Sequence, residues 1–484
     1  MEILFVSTEL APYVKVGGLA DVMAALPKAL RGLGHKTTIV LPRYGAFEAS
    51  GLLAARRLTP LEIKLGNKTW QVTVYDAKLP SQVELALVDV PGLFDRKGVY
   101  GENGEDYPDN ATRFAVLSRA AAEIAKQRVA AGAPFDIVHC HDWPTALVPT
   151  YIRELAREVP QLATTKSVLT IHNLAHQGTF PKDVLPSLGL GWDQFSIDGI
   201  EFYGGLNVLK QGILTADAVT TVSTTYAREI QTPGHGCKLD GVLRERARAV
   251  IGILNGVDYA IWNPATDPAL AARYDAEDAT NKARCKAALQ KELGFPIDNA
   301  VPLIVNVGRI VQQKGSDLVA GAITKLLRAT DAQIVVAGDG DAALMTKLED
   351  AVAKGPGRAV FIRAASEHVV HRMFAGADFA LVPSRFEPCG LVQMYAQRYG
   401  ALPVARATGG LADTIVDCDA KLETGTGFLF DEETAEALVG AVERGIAART
   451  SSRWPSLVRR VMRLDRGWER PARQYEQVYR QLAR

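Results

Sequence analysis

The fold of this chain is constrained most by a regular alternation of short apolar runs with helical segments along its 484 residues. Runs such as EILFVST at 2–8 and PLIVNVGR at 302–309 have the length and composition of buried strands in a parallel sheet. The alternation stops at 255–300, a polar stretch rich in Pro, Asn and Asp, and then begins again. The pattern predicts an α/β protein with two doubly wound, Rossmann-like domains facing a deep cleft.

The predicted domains are 1–256 and 257–464, followed by a C-terminal helix at 465–484. The last segment places apolar residues three or four positions apart, which is typical of an amphipathic helix with one face to bury. These residues are Trp468, Ala472, Tyr475, Tyr479 and Leu482. The many arginines between them are interpreted as a solvated face and not as a nucleic-acid patch.

Composition excludes several classes of function. The net charge of +1 gives no general field that would attract nucleic acid or an anionic membrane. The five cysteines are scattered and never form a CxxC pair, which favours a reducing compartment and gives no zinc signature. No apolar run approaches the ~20 residues of a membrane span, and MEILFVSTEL begins as a strand, not as a signal peptide. The sequence predicts a cytoplasmic protein.

Ligands of open α/β sheets bind beyond the carboxyl ends of the strands, so functional residues are expected in the turns that follow strands. The first is KVGGLADV at 15–22, where Gly17 and Gly18 precede a helix and Lys15 adds a charge. Glycines at a helix N-terminus suit an anion; the alternative is a tight turn that needs glycine only for its φ angle. The string GGLAD recurs at 409–413, and we interpret both copies as one physical solution used twice.

The second half offers a pair of cations after its first strand. In NVGRIVQQKG at 306–315, Arg309 and Lys314 can clamp a diphosphate through charge-assisted hydrogen bonds. Either residue alone would be an ordinary surface cation. AGDGD at 337–341 ends a further strand, and Gly338 there could bring the backbone close to a nucleobase or ribose.

Histidines follow two strands of the first half. HCHDW at 139–143 places His139 and His141 on one strand face, a spacing that favours hydrogen-bonded packing over a metal site. TIHNLAHQG at 170–178 places His172 after the next strand, where it could be a general base, a partner for a hydroxyl group or a satisfied core residue. No G-x-S-x-G serine turn accompanies these histidines, so a hydrolase is disfavoured.

The turn SRFEPCGL at 384–391 combines a carboxylate, a proline, a thiol and a glycine. A carboxylate and a thiol are unusual between a buried strand and a helix, which makes Glu387 and Cys389 candidate functional residues. Cys389 would need a neighbouring base to act as a nucleophile, and none is present locally.

Seven motifs, read in order, resemble one family: the bacterial glycogen synthases that use ADP-glucose, together with the plant starch synthases. The motifs are KVGGLADV, HDWP, TIHNLAHQG, ILNGVD, GRIVQQKG, PSRFEPCGL and RATGGLAD. The resemblance implies a GT-B fold with the acceptor on 1–256, the donor on 257–464 and a C-terminal helix that crosses back to the first domain. It also implies retaining transfer of glucose from ADP-glucose to the nonreducing end of an α-1,4-glucan such as glycogen, without metal or cofactor.

The resemblance also assigns roles position by position. It implies catalytic roles for Lys15, His172, Arg309, Lys314 and Glu387. Glu387 would accept hydrogen bonds from glucose hydroxyls and stabilise a developing oxocarbenium ion, and Cys389 would pack against the sugar or nucleotide. It implies donor binding for Gly17, Gly18, Asp142, Asn173, Asn255, Gly338, Cys389, Gly390, Leu391, Thr408, Gly409 and Gly410. On the acceptor side it places Asp21 and, from the stretch YPDNATRF, Tyr107 and Asn110.

Two positions depart from the family's pattern. Pro144 stands where a polar residue is common, and Cys237–Lys238 stand near a position usually occupied by glycine. The first could reshape a turn that faces the cleft, and the second bears on the preferred length of the glucan. Neither touches the phosphate clamp.

A retaining hydrolase uses two carboxylates ~5 Å apart, and only Glu387 stands out here. The sequence therefore favours attack on the same face of the sugar, with the leaving diphosphate accepting the proton of the acceptor. A transferase of the same fold that uses UDP-glucose, and a noncatalytic glucan-binding protein, are the alternatives. The presence of charged residues at every phosphate position argues for an active enzyme.

Overall fold

The structure is a computed structural model that describes residues 1–102, 104–246 and 250–483. These residues form two compact units. The first unit comprises Met1–Val222, Ala227–Gly256 and the segment that starts at Trp468, and the second comprises Ser223–Tyr226 and Val257–Gly467. In the described part of the chain, no helix is long and apolar enough to cross a membrane.

A twisted sheet that is mainly parallel forms the centre of the first unit. The strands of this unit are β1 (Glu2–Val6), β2 (Lys36–Pro42), β3 (Ala54–Arg56), β4 (Leu61–Leu65), β5 (Lys68–Lys78), β6 (Glu84–Asp89), β7 (Gly101–Glu102), β8 (Glu105–Asp106), β9 (Ile137–His141), β10 (Lys166–Ile171), β11 (Thr179–Phe180), β12 (Glu201–Phe202), β13 (Gly205–Asn207), β14 (Ala218–Thr221) and β15 (Val250–Gly252). The main sheet has the order β15-β14-β10-β9-β1-β2-β6-β5-β3. It is parallel from β15 to β6, whereas β5 runs antiparallel to β6, β3 and β4.

The second unit is built on a sheet that is parallel throughout. Its strands are β16 (Leu303–Val307), β17 (Gln333–Gly338), β18 (Ala359–Arg363), β19 (Phe379–Val382), β20 (Leu402–Arg406) and β21 (Phe428–Phe430). They lie in the order β18-β17-β16-β19-β20-β21. Every residue of β19 and the first three residues of β16 are buried, as their apolar sequences predict, which confirms the α/β prediction.

Helices connect the parallel strands in both units. They are α1 (Gly18–Gly32), α2 (Gly45–Ala49), α3 (Asn110–Ala130), α4 (Val148–Leu155), α5 (Val208–Thr215), α6 (Thr224–Glu229), α7 (Asp240–Glu245), α8 (Lys282–Glu292), α9 (Ser316–Ala329), α10 (Ala342–Val352), α11 (Glu367–Gly376), α12 (Val392–Arg398), α13 (Gly409–Thr414), α14 (Ala435–Arg449), α15 (Trp454–Met462) and α16 (Glu469–Leu482). The short 3₁₀ turns Trp143–Thr145 and Gln312–Lys314 follow strands β9 and β16.

The C-terminal helix α16 packs into the core of the first unit, which confirms the predicted crossing back of this helix. Ala472, Tyr475 and Tyr479 are fully buried there, and Trp468 is 8% exposed. Leu482 packs against the same cluster, while Arg484 lies outside the described residues. The three-and-four spacing of these residues explains why one face of the helix is buried.

Each sheet contains one point where the strand order reverses. In the first unit the chain builds β1, β2 and β6 in one direction and then places β9 on the other side of β1. In the second unit it builds β16, β17 and β18 and then places β19 on the other side of β16. Loops separate at the carboxyl ends of the strands at such a switch point, which makes it the expected ligand site of a doubly wound sheet.

Candidate functional site

The glycine turn of the first unit is held by a buried carboxylate that sequence reasoning missed. Glu9 follows β1 and is 4% exposed. Its Oε2 accepts hydrogen bonds from the backbone N–H groups of Val16 and Gly17, both at 2.8 Å, and its Oε1 accepts one from the Tyr100 hydroxyl at 2.8 Å. The only signal in the sequence is an acidic residue directly after a buried strand, at the position where the switch point places ligands.

Gly17 is not required by the conformation of the turn. Its φ of −147° is an extended value that any residue adopts, which excludes the tight-turn explanation. A Cβ added at Gly17 would meet no atom of the residues that the structure describes within 4 Å. Helix α1 begins at the next glycine, Gly18. The glycine therefore keeps open space in front of a helix N-terminus, where backbone N–H groups attract anions.

Lys15 and Asp21 lie on either side of this turn and form an ion pair, with 2.8 Å between Lys15 Nζ and Asp21 Oδ1. The Lys15 side chain is 37% exposed and that of Asp21 22% exposed. The structure thus brings together a residue predicted to be catalytic and one predicted on the acceptor side.

Asn110 and Tyr107 act on the site through their neighbours. Asn110 is buried; its Nδ2 donates to the Tyr100 carbonyl at 2.7 Å, and its Oδ1 accepts from Arg113 at 2.6 Å. The Tyr107 ring lies under the guanidinium groups of Arg96 and Arg113, at 4.7 and 4.9 Å. Asn110 therefore positions Tyr100, which in turn bonds to the carboxylate behind the glycine turn.

Asp142 follows β9 on the other side of the switch point. It has a φ of +57°, and its Oδ1 accepts hydrogen bonds from the backbone N–H groups of His172 at 2.7 Å and Asn173 at 3.4 Å. Loss of solvent raises the pKa of Asp142 to about 7, although these backbone hydrogen bonds act in the opposite direction. Asn173 also bonds locally, accepting from the Ala175 N–H at 3.1 Å.

The three histidines of this region form one group. His139 and His141 lie on one face of β9, with ring centroids 4.3 Å apart, as the strand periodicity predicts. His172 Nε2 lies 2.9 Å from His141 Nδ1. Desolvation lowers the pKa of His172 to about 3 and holds the pKa values of His139 and His141 well below the usual value, so all three rings are neutral at pH 7. No cluster suited to a metal ion occurs among the described residues.

The positions that depart from the family pattern are also placed. Pro144 lies in the 3₁₀ turn after β9, and its carbonyl accepts from Ser118 Oγ at 3.2 Å. Cys237 and Lys238 have φ values of +48° and +69°, a conformation that favours glycine. The Cys237 carbonyl accepts from Gln177 Nε2 at 3.0 Å, which helps to hold this turn.

Asn255 lies at the end of the first unit and is 6% exposed. Its side-chain Oδ1 is buried and has no hydrogen-bond partner among the described residues. Such an acceptor is uncommon in a folded protein.

At the switch point of the second unit, the catalytic candidates Lys314 and Glu387 are in contact. Lys314 follows β16 and Glu387 follows β19; Nζ and Oε2 are 2.5 Å apart. Ser384 Oγ donates to the same Oε2 at 2.9 Å, and Glu387 is 5% exposed. Sequence reasoning had given these two residues separate roles, because a pair 73 positions apart has no local signal.

Arg309 differs from Lys314. It is exposed, and its guanidinium has neither an ion-pair nor a hydrogen-bond partner among the described residues. Of the two cations predicted to clamp a diphosphate, one is therefore held by a carboxylate and the other is available to a ligand. An arginine with unused donors is well suited to phosphate oxygens.

A network of polar contacts fixes the turn that carries Glu387. Arg385 forms a two-bond ion pair with Asp317 in the first turn of α9, with both distances at 2.8 Å. This contact holds the pKa of Asp317 below its usual value. The backbone N–H of Arg385 donates to the Gln313 carbonyl at 2.9 Å, and Arg406 donates to the Ser384 and Arg385 carbonyls. Sequence reasoning did not single out Ser384, Arg385 or Asp317.

The late glycine turn packs directly on the Glu387 turn. Thr408 precedes α13, Gly409 has a φ of +46°, and the Gly410 N–H donates to the Glu387 carbonyl at 2.9 Å. A Cβ on Gly410 would stand 1.9 Å from the Cys389 carbonyl oxygen. The glycine is required by this close approach of two backbones.

The remaining predicted donor residues are placed by the same two turns and by β17. Cys389 is buried, Gly390 has a φ of +72°, and Leu391 immediately precedes α12. Gly338 ends β17, where a Cβ would stand 2.0 Å from the Gly308 carbonyl oxygen. Packing between neighbouring strand ends therefore explains the glycine at 338.

Comparison with known proteins places the chain among enzymes of glucan synthesis. The family profile described as the starch synthase catalytic domain matches residues 2–245, and that of glycosyl transferases group 1 matches residues 292–453. The chain is 47% identical to a glycogen synthase of Anaeromyxobacter dehalogenans, with 100% of this chain and 99% of the relative covered. It is 42% identical to glycogen synthase 2 of Geobacter metallireducens, again with 100% of this chain and 99% of the relative covered.

Solved structures agree with this result. The catalytic domain of starch synthase IV from Arabidopsis thaliana, bound to ADP and acarbose, has a TM-score of 0.91 and 33% identity, covering 100% of this chain and 99% of that one. Sucrose-phosphate synthase from Thermosynechococcus elongatus has a TM-score of 0.60 at 19% identity, covering 99% and 98%, and supports the fold alone.

Proposed function

This chain belongs to the glycogen and starch synthase family of glycosyltransferases, and we propose that it transfers glucose from ADP-glucose to the nonreducing end of an α-1,4-glucan. The observation that carries the donor half of this proposal is the charged group at the switch point of the second unit. There Arg309 is exposed and has no ion-pair partner in the described part of the chain, and Lys314 is held by Glu387 at 2.5 Å. The structural relative solved with ADP bound supports the choice of nucleotide.

In the proposed reaction, the cations stabilise the leaving ADP. Arg309 donates two hydrogen bonds to phosphate oxygens, and Lys314 and Lys15 add positive charge as the bond to the sugar breaks. The open helix N-terminus behind Gly17 contributes backbone donors. We propose that these side-chain and backbone donors hold the diphosphate without a metal ion or a cofactor.

We propose retention of configuration through attack on the same face of the sugar, with the leaving phosphate taking the proton of the acceptor hydroxyl. Glu387 already accepts from Lys314 and Ser384, and a carboxylate engaged in this way is a poor nucleophile. The better role for it is to orient the sugar and to stabilise positive charge that develops on the ring.

We propose that the first unit binds the acceptor glucan and makes part of the contacts to the donor sugar. His172, Asn173 and Asp142 are the sugar-facing candidates, and Asp21 lies beside Lys15 on the acceptor side. We also propose a cytoplasmic location, because all five cysteines are free thiols, as in a reducing compartment.

The proposal is tested by transfer of labelled glucose into glycogen from ADP-glucose and from UDP-glucose under equal conditions. We expect incorporation from ADP-glucose and α-linked product. Incorporation from UDP-glucose alone would overturn the donor. Binding of glycogen without incorporation from either donor would identify a glucan-binding protein.

The same assay tests the clamp. Arg309→Ala should lower the rate by a factor on the order of 10²–10³, because a charged contact to the leaving group is lost. The exposed Arg328 on α9 provides a matched control, and Arg328→Ala should leave the rate unchanged. An Arg309→Ala enzyme that keeps more than half of the wild-type rate would contradict the clamp.

A further inference from the structure

The buried histidine His141 lies behind His172 and contacts it directly. Its side chain has no exposed surface, and its Nδ1 is 2.9 Å from His172 Nε2. The distance requires one hydrogen between the two nitrogens. Which ring supplies that hydrogen decides the tautomer of His172.

The other nitrogen of His141 settles the question. His141 Nε2 is buried and has no hydrogen-bond partner among the described residues. If His172 Nε2–H donated to His141, the neutral His141 ring would carry its own hydrogen on Nε2, as a buried N–H with no acceptor. Buried N–H groups without a partner are rarer in folded proteins than acceptors with an unused lone pair.

The opposite arrangement leaves no such donor. His141 then carries its hydrogen on Nδ1 and donates it to His172 Nε2, so that only a lone pair at His141 Nε2 remains unused. Both rings are neutral in this arrangement, which agrees with the lowered pKa values that desolvation gives to both. His172 then carries its hydrogen on Nδ1, the ring nitrogen without a partner among the described residues.

The neighbouring histidine shows that a buried ring in this core can be satisfied without such a role. His139 Nδ1 pairs with the Tyr479 hydroxyl at 2.7 Å, and its Nε2 pairs with Thr170 Oγ1 at 2.6 Å. Both nitrogens of His139 are therefore used inside the core. Among the described residues, the one hydrogen bond that the His141 ring makes is to His172.

We propose that His141 is a positioning residue that holds His172 as the neutral tautomer with the hydrogen on Nδ1. His172 then presents an N–H donor to an oxygen of the bound sugar and does not act as a general base through that nitrogen, because the lone pair a base needs is absent there. The role of the sugar rests on the function proposed above, whereas the tautomer does not.

The tautomer is measured directly, without any substrate. Long-range ¹H–¹⁵N correlation spectra of the ¹⁵N-histidine-labelled chain, which has eight histidines, separate protonated from bare ring nitrogens; His141→Leu and His172→Asn assign the two rings. We expect hydrogen on Nδ1 of both His141 and His172. His172→Asn, at the half-buried ring, is enough to assign the decisive signal, and hydrogen on Nε2 of His172 in the wild-type chain would overturn the proposal.

Two variants of His141 connect the tautomer to catalysis. His141→Asn can place an amide N–H where Nδ1 stands, so it should keep the His172 tautomer and stay within about threefold of the wild-type kcat/KM. His141→Leu removes the donor and should give a mixture of His172 tautomers and roughly a tenfold loss in kcat/KM. Equal losses in both variants with an unchanged His172 spectrum would indicate a structural role only and overturn the proposal.

Tyr479→Phe is the matched control, because it removes a hydrogen bond from the same buried group but at His139. It should lower thermal stability without changing the His172 spectrum. If the wild-type chain showed the expected tautomer but transferred no glucose, the proposed function would fail while the tautomer assignment stood.

Discussion

The string GGLAD occurs in both units, and the two copies show that identical residues can be used for different reasons. The first copy, at 17–21, begins the 15-residue helix α1, and the second, at 409–413, begins the six-residue helix α13. The first glycines of the two copies differ in backbone conformation: φ is −147° at Gly17 and +46° at Gly409. A Cβ at Gly17 would meet no atom of the described residues within 4 Å, whereas a Cβ at Gly410, the second glycine of the later copy, would stand 1.9 Å from a backbone oxygen.

The supports of the two turns also differ. A side-chain carboxylate, that of Glu9, holds the first turn through two backbone N–H groups. A backbone carbonyl, that of Glu387, holds the second turn through the Gly410 N–H. The aspartates diverge as well: Asp21 pairs with Lys15, whereas Asp413 accepts from the backbone N–H and the hydroxyl of Thr225.

A glycine can be required because a ligand needs the open space in front of it, as we infer for Gly17. It can also be required because a neighbouring backbone fills that space, as at Gly410. Both copies place a helix N-terminus after a strand, as predicted, but the prediction of one physical solution is wrong, because the equivalent glycines Gly17 and Gly409 have different backbone conformations.

The largest effect is expected for Gly410→Ala. The added methyl group would overlap the Cys389 carbonyl, so the two turns must separate, at a cost of about 3 kcal/mol or more in the free energy of unfolding. Thermal and urea denaturation measure this loss. Gly440→Ala is the control in the same unit, because Gly440 lies exposed in α14 with nothing within 4 Å of its Cβ. It should stabilise the chain by about 0.5–1 kcal/mol. Equal stability of the two variants would contradict the packing role.

A smaller effect, which depends on pH, is expected at Asp142 beside the first turn. Its folded pKa of about 7 lies above the ordinary 3.8. Below pH about 4 the carboxyl group is protonated in both states; from there to pH about 7 only the folded chain keeps the proton. The contribution of Asp142 to the free energy of unfolding therefore falls as the pH rises through this window and stays low above it.

Asp142→Asn removes this contribution. The free energy of unfolding of the variant, relative to wild type, should rise by on the order of 2 kcal/mol between pH 4 and pH 8. This is about half of the free energy that corresponds to a shift of three pKa units, because the Asp142 side chain is partly exposed and solvent screens it. Urea denaturation at both pH values measures the difference, in which the histidines common to both chains cancel. A difference that is independent of pH would show that Asp142 has an ordinary pKa.

Much of this architecture could be predicted because buried parallel strands are apolar throughout. The runs at β1, β9, β16 and β19 stand out from their surroundings. The antiparallel strands β3 to β5 were missed. β3 is exposed throughout, and β4 and β5 alternate buried with more exposed residues along the strand, as in KTWQVTVYDAK. Such half-exposed strands lack a continuous apolar signal.

Sequence reasoning identified the charged residues of the site but not their partners. Glu387 and Lys314 were selected from local patterns, whereas their contact depends on strand order around β16. Glu9 has no motif of its own, and its role depends on a turn seven residues away. Contacts of this kind follow from packing, for which one sequence gives no periodic signal.

The smallest effect on stability is expected for Gly17→Ala. This variant also tests most directly whether the first glycine turn receives the donor. Steady-state glucose transfer from ADP-glucose and thermal denaturation should be measured for wild type, Gly17→Ala and Gly45→Ala, since Gly45 is an exposed glycine whose Cβ would also meet nothing. All three should unfold within about 0.5 kcal/mol of one another. Only Gly17→Ala should lose kcat/KM, by roughly tenfold to a hundredfold, because its methyl group occupies the space kept for the ligand. Equal transfer rates for all three chains would contradict the claim that this turn receives the donor.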